Sequence, residues 1–130
     1  MGINSAIIAV DFDGTVVDHR FESKTDLVPH APHAVRTLKD LTNSGARLIL
    51  WTMRSGSKLD EAVQWYEDNN IPLWGVQKNP EQETWSQSPK AYAQIYIDDA
   101  ALGAPLIKPE GFARPCIDWL AVRKYFQMKD

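Results

Sequence analysis

Two short strand-like runs in this chain end in paired aspartates, Ala6 to Val10 running into Asp11-Phe12-Asp13 and Gln94 to Ile97 running into Asp98-Asp99. This feature constrains the fold most. In open parallel sheets the carboxyl ends of the strands line the crevice where ligands bind, so two such strands point to one shared acidic end. Between them, apolar runs alternate with helix-period segments, the pattern of strands joined by crossover helices. The expected fold is α/β, a three-layer Rossmann-like parallel sheet flanked by helices. A chain of 130 residues with 44% hydrophobic content normally makes one domain with a real core, here expected to span residues 1–130.

The elements follow from local signals. A helix is expected to begin near Pro32, with Ala34, Val35, Leu38 and Leu41 on one face and Gly45 as its stop. Ala46 to Trp51 reads as the second strand. Ser57 can cap a second helix with the stripe Leu59, Ala62, Val63 and Tyr66, which ends at Asn69-Asn70 before Ile71-Pro72. Leu73 to Val76 is the third strand, and Gln77 to Pro89 a polar loop with room for one turn of helix. Leu106-Ile107 reads as a short fifth strand, and a last helix is expected from about Cys116 to Gln127. Five tryptophans spread along the chain suggest packing rather than a stacking platform for bases.

The composition narrows the function classes. No apolar run is long enough to cross a bilayer, and the single thiol, Cys116, fits a small buried hydrophobe rather than a disulfide framework. The first residues lack a secretory signal, and Ala6 does not complete a myristoylation pattern after Gly2, so a cytoplasmic protein without a lipid anchor is expected. A net charge of −3 disfavours a nucleic-acid backbone as partner. It leaves room for a small anionic ester.

An isolated aspartate after an apolar run usually caps a helix or starts a turn. Four of them gathered at a sheet end repel one another, and a hard divalent cation between them relieves that repulsion. Oxygen ligands suit Mg²⁺, whereas zinc would call for a Cys/His cluster. His30 and His33, spaced for one face of a helix start, lack a third ligand and read as capping or surface residues.

The ordered set of Asp11-Phe12-Asp13-Gly14-Thr15, Thr52, Lys90 and Asp98-Asp99, each beside a strand, resembles the four motifs of the haloacid dehalogenase superfamily of phosphohydrolases. The resemblance implies that Asp11 is the nucleophile that becomes an aspartyl phosphate and that Asp13 is the general acid and base. Gly14 would let the backbone turn away from the strand, with Thr15 hydrogen-bonded to fix that turn. Thr52, with Met53 and Arg54 after it, would face the phosphoryl group, and Arg54 is read either as an anion-binding fork or as a surface ion pair. Lys90 would screen the charge between nucleophile and phosphate, with Lys78 as its rival. Asp98 is the main acidic ligand implied for Mg²⁺, joined by Asp11, the main-chain carbonyl of Asp13 and Asp99. His19 and Arg20 fall in the segment that forms a flap over the site in that superfamily.

Neither interval that carries a cap domain in that superfamily is long enough here, so a capless, open site is implied. The expected activity is Mg²⁺-dependent hydrolysis of a small phosphorylated metabolite, such as a sugar phosphate or nucleotide, with a homo-oligomer as one means of covering the site. The alternatives are a non-catalytic phosphate-binding module on the same fold, and a phosphatase of nucleic-acid ends or of a phosphoprotein.

Overall fold

The structure, a computed structural model, describes residues 5–20 and 22–129. The readings of the first residues as free of signal and lipid anchor fall mostly outside that range. In chain order the elements are β1 (Ile7–Val10), α1 (Ala34–Asn43), β2 (Arg47–Leu50), α2 (Gly56–Asp68), β3 (Gly75–Val76), β4 (Ile95–Ile97), β5 (Leu106–Ile107), β6 (Cys116–Ile117) and α3 (Trp119–Tyr125). Two 3-10 turns, Thr25–Leu27 and Gln82–Thr84, lie in the longer connections. The second falls in the polar loop where one turn of helix was expected.

The protein is α/β, with a parallel sheet in the order β3-β2-β1-β4. Parallel neighbours require crossovers, and right-handed crossovers place α1 and α2 on one face because both steps move the same way across the sheet. The step from β3 to β4 moves the opposite way, so residues 77–94 cover the other face. Side-chain alternation agrees with this division. Ile8, Val10, Leu48 and Leu50 pack with Leu38 and Leu41 of α1 and with Ala62, Trp65 and Tyr66 of α2. Ile7, Ala9 and Ile49 face Ala91 and Ala93 from the loop. Each fully buried aliphatic side chain contributes roughly 1.5–3 kcal/mol, so both faces of these short strands support the sheet. Among the described residues, no helix is long and apolar enough to cross a membrane.

Several boundaries differ from the expected ones, for local reasons. The second, third and fourth strands begin later, at Arg47, Gly75 and Ile95, because ladder pairing with β1 and β2 starts only there. Helix α2 starts at Gly56, and its capping position is Ser55 rather than Ser57, without a side-chain cap bond. The last helix starts at Trp119, not Cys116. Cys116 and Ile117 instead form β6, antiparallel to β5, and Asp118 caps α3 by accepting from the N–H groups of Leu120 and Ala121. Cys116 is fully buried, as expected of a small hydrophobe. Trp85 is the exception among the tryptophans, 61% exposed and edge-on to Tyr92.

The C-terminal segment fastens the loop after β1. The Ile117 N–H donates to the Gly14 carbonyl at 3.1 Å, and the buried Trp119 indole N–H donates to the Thr15 carbonyl at 2.8 Å. Asp18, fully buried, accepts from the N–H groups of His19 at 2.8 Å and Ala113 at 2.7 Å and from Arg20 Nε at 2.9 Å. Burial pushes the Asp18 carboxyl up, but the Ala113 N–H, the Arg20 guanidinium and the His19 and Arg114 N–H groups together outweigh it and hold it below the ordinary value of 3.8. The stability it confers is therefore present above that value and is lost as pH falls through the lower native one. Asp18→Asn should cost about 2 kcal/mol at neutral pH by urea unfolding, with the gap to the parent closing toward about pH 3. A gap that widens on acidification would contradict this account.

Candidate active site

The crossover reversal makes the boundary between β1 and β4 the switch point of the sheet, and both aspartate pairs stand at its carboxyl end. Asp11 follows β1 directly and its N–H donates to the Ile97 carbonyl at 2.9 Å, which ties the first acidic loop to the end of β4. Asp98 and Asp99 follow β4. One carboxylate oxygen from each of Asp11, Asp98 and Asp99 lies within 4.8 Å of the others. All three side chains offer oxygen donors, the type that hard divalent cations take.

Gly14 shapes the turn beneath these groups. Its φ is +84°, and a Cβ there would collide with the His19 imidazole and the Asp99 carboxylate. Only glycine fits that conformation and that space. Thr15, fully buried, donates from Oγ1 to Asp11 Oδ2 at 3.0 Å while the same oxygen accepts from the Asp99 N–H at 3.2 Å. The expected turn-fixing role of Thr15 thus extends across both strand ends.

The electrostatics of the cluster follow from crowding. Burial, the hydrogen bond with Asp99 and the charge of Asp98 push the Asp11 carboxyl up to about 8 from 3.8, outweighing the Phe12 N–H and the Thr15 hydroxyl. Burial also raises Asp99, but its hydrogen bonds with His19 and Asp11 and the charge of His19 take it below the ordinary value. Crowding thus works in opposite directions on the two carboxyls, up for Asp11 and down for Asp99. His19 Nε2 lies 3.0 Å from Asp99 Oδ2, so His19 contacts the acidic cluster itself. Arg20 is turned away, paired with Asp18 and the Gly111 carbonyl.

Thr52 sits past the end of β2, where the side chain of Gln77 continues the ladder. Gln77 Oε1 accepts from the Thr52 N–H at 2.8 Å and Nε2 donates to the Thr52 carbonyl at 2.6 Å, with Gln77 itself at φ 59°. The Thr52 hydroxyl accepts from the Arg54 N–H at 3.2 Å. Met53 between them is 97% exposed. Sequence reasoning missed Gln77, because a glutamine after a strand carries no motif signal.

Arg54 corrects an expectation. It is neither turned to an open anion site nor a surface pair, being only 2% exposed, with Nη2 and Nε donating to the two carboxylate oxygens of Asp13 at 2.7 and 2.8 Å. Nη1 donates to Thr25 Oγ1 at 2.9 Å and to the Lys58 carbonyl at 3.0 Å, and the guanidinium lies 4.6 Å from the Phe12 ring centre. Lys90 is exposed, with Nζ 5.4 Å from the Tyr96 ring centre, and Lys78 is exposed as well. Among the described residues neither lysine forms an ion pair with the acidic cluster. His33 sits at the capping position of α1 without a side-chain cap bond, its Nδ1 accepting from Arg36, and His30 is exposed and edge-on to Trp65.

No family model matches the chain, and no curated protein does. Among solved structures it is similar to one described as the structure of the conserved protein coded by a locus from Bacteroides thetaiotaomicron. The identity is 34% over 95% of this chain and 91% of that one, with a TM-score of 0.71. Identity at that level over nearly both whole chains places the two in one family, whose described member carries no stated activity.

A carboxyl whose native value is raised confers stability that is fully present below its unfolded value and is lost as pH rises through the native one. For Asp11 that window runs from 3.8 to about 8. In chelator-treated protein Asp11→Asn should therefore be more stable than the parent at neutral pH, by on the order of 2 kcal/mol, with the advantage vanishing toward pH 4 in thermal scans. Equal melting of parent and variant across that window would show that Asp11 is not crowded in this way.

Proposed function

We infer that this chain, of one family with the conserved Bacteroides protein, is a Mg²⁺-dependent phosphomonoesterase of the capless haloacid dehalogenase type. The observation that carries it is the meeting of Asp11, Asp98 and Asp99 at the switch point of the sheet, with their oxygens within 4.8 Å. Three crowded carboxyls, with Asp11 pushed up by burial and by its acidic neighbours, are a poor arrangement for an empty surface and a good one for a hard cation. Asp11, Asp98 and Asp99 would hold Mg²⁺ through side-chain oxygens, with the Asp13 main-chain carbonyl implied by the motif. The bound cation supplies charge neutralisation at the phosphoryl oxygens.

The chain's own groups carry the remaining chemistry. Asp11 attacks phosphorus and the alcohol departs, leaving an aspartyl phosphate, and Asp13 serves as the acid and base for the two proton transfers. Thr52, held by Gln77 at the end of β2, offers its hydroxyl to the transferred group. Lys90 keeps the charge-screening role by its place in the motif series rather than by a contact. Between the strand ends and the helices, the connections hold 3-10 turns and isolated bridges among the described residues, in keeping with an open site. An open site at a chain of mild negative charge suits a small phosphate ester, such as a sugar phosphate or nucleotide, with a second copy of the chain as a cover. A cytoplasmic setting is part of the same proposal.

Phosphate release from an aryl phosphate, with and without Mg²⁺, tests the proposal. The parent should turn over only with the metal, and Asp11→Asn should lose at least about a thousandfold in rate. Mg²⁺ should also raise the melting temperature of the parent and not that of the variant. Saturable Mg²⁺ binding without turnover on any of a panel of sugar phosphates and nucleotides would instead indicate the non-catalytic module.

A further inference from the structure

Asp13, two residues past Asp11, does not join the cluster at the switch point, and its carboxylate is turned to Arg54. The Arg54 fork reaches both of its oxygens, at 2.7 and 2.8 Å, from a side chain that is 2% exposed. That fork is itself held on every side. Nη1 is bonded to Thr25 Oγ1 and to the Lys58 carbonyl, and the cation rests over Phe12, whose ring is braced edge-on by Trp65 at 5.6 Å. Thr25 is fastened in turn by Glu61, whose Oε1 accepts from both its N–H at 3.1 Å and its hydroxyl at 3.0 Å. All three guanidinium nitrogens are thus committed to protein acceptors, and a planar bidentate pair fixes a carboxylate in angle as well as distance.

We propose that Arg54 is a positioning residue that aims the Asp13 carboxylate at the hydrolytic water, and not a ligand of the phosphoryl group. This rests on the phosphatase proposal above. In the step concerned, a water oxygen bonds to phosphorus as the bond from phosphorus to the Asp11 carboxyl oxygen breaks. The bonding pair returns to Asp11, inorganic phosphate leaves, and the water proton passes to Asp13. A fork occupying one side of the Asp13 carboxylate leaves lone pairs on the other side to accept that proton. Misplacing such a base by about 1 Å costs on the order of a hundredfold. Lysine keeps the charge of Arg54 but lacks the fork.

The test is rapid-quench kinetics with para-nitrophenyl phosphate and Mg²⁺, whose good leaving group lets the first step run without help from Asp13. Arg54→Lys should give a burst of one nitrophenolate per folded site. Phosphate release should then be about a hundredfold slower than in the parent, with KM falling alongside kcat because the first step is untouched. The acid-quenched variant should carry one added phosphoryl group by mass. Asp13→Asn should show the same slow step, and the double variant should be no slower than either single one, since both changes remove one function. The burst amplitude counts folded sites, so partial misfolding lowers it without altering the slow rate. If Arg54→Lys does not fold, Arg54→Gln is read by the same criteria. A raised KM without a burst, or defects that multiply in the double variant, would overturn the positioning role while the parent's turnover upheld the phosphatase. A parent without Mg²⁺-dependent turnover would overturn both.

Discussion

Setting two carboxylate-tipped strands side by side is electrostatically unfavourable, and the rest of this fold is arranged around that juxtaposition. It exists because the connection from β3 reverses direction and returns to the open edge of β1. Handedness then puts α1 and α2 on one face and residues 77–94 on the other, so the acidic ends meet in the gap between two oppositely directed crossovers. The repulsion is offset locally by the Thr15 hydroxyl between Asp11 and Asp99 and by His19 on Asp99. Each offset is a short-range contact, so the cluster depends on the loop after β1 keeping its shape.

That loop is held from outside the sheet. Gly14 and Thr15 are fastened by Ile117 and Trp119, and Asp18 joins the same loop to the N–H groups of residues 113 and 114. The C-terminal segment, about a hundred residues away in sequence, therefore acts as a buttress for the acidic turn. The hairpin of β5 and β6 is too short to be stable alone. Its value lies in carrying Ile117 and the capped start of α3 to the place where they meet Gly14 and Thr15.

How far the chain can be read without its structure depends on whether a signal is local. The strands and both long helices are legible because Ile8, Val10, Leu48 and Leu50, or Ala34, Leu38 and Leu41, repeat with the period of their element. Gly14 and Thr15 are legible through the resemblance of Asp-Phe-Asp-Gly-Thr after a strand to a known motif, with glycine free to take the turn. The β6 strand is not, since two residues before an aspartate cap look like the first turn of the helix that follows. Trp65 falls just beside the stripe drawn through Leu59, Ala62 and Tyr66, although it is buried with Ala62 and Tyr66 while Leu59 is only partly so. Asp18 and Gln77 are hubs whose distant partners lie 95 residues away for Asp18 and 25 for Gln77, and no spacing rule reaches that far.

Arg54 shows why charge near a motif is an ambiguous signal. Its position two residues past Thr52 suits an anion-binding fork, and the structure gives it an anion, but the anion is Asp13 of the same chain. Burial decides between the two uses. A guanidinium that must meet a substrate needs a face open to solvent before the substrate arrives, whereas one shut between Phe12, Thr25 and the first turn of α2 has already exchanged its water for protein acceptors. Removing Asp13 alone would leave that buried cation without its counter-charge, so the two residues are bound to one another energetically as well as geometrically. The consequence for the site is a division of labour within three residues of sequence. Asp11 belongs to the acidic cluster and Asp13 to the Arg54 network, and Phe12 between them, fully buried, keeps the two systems apart.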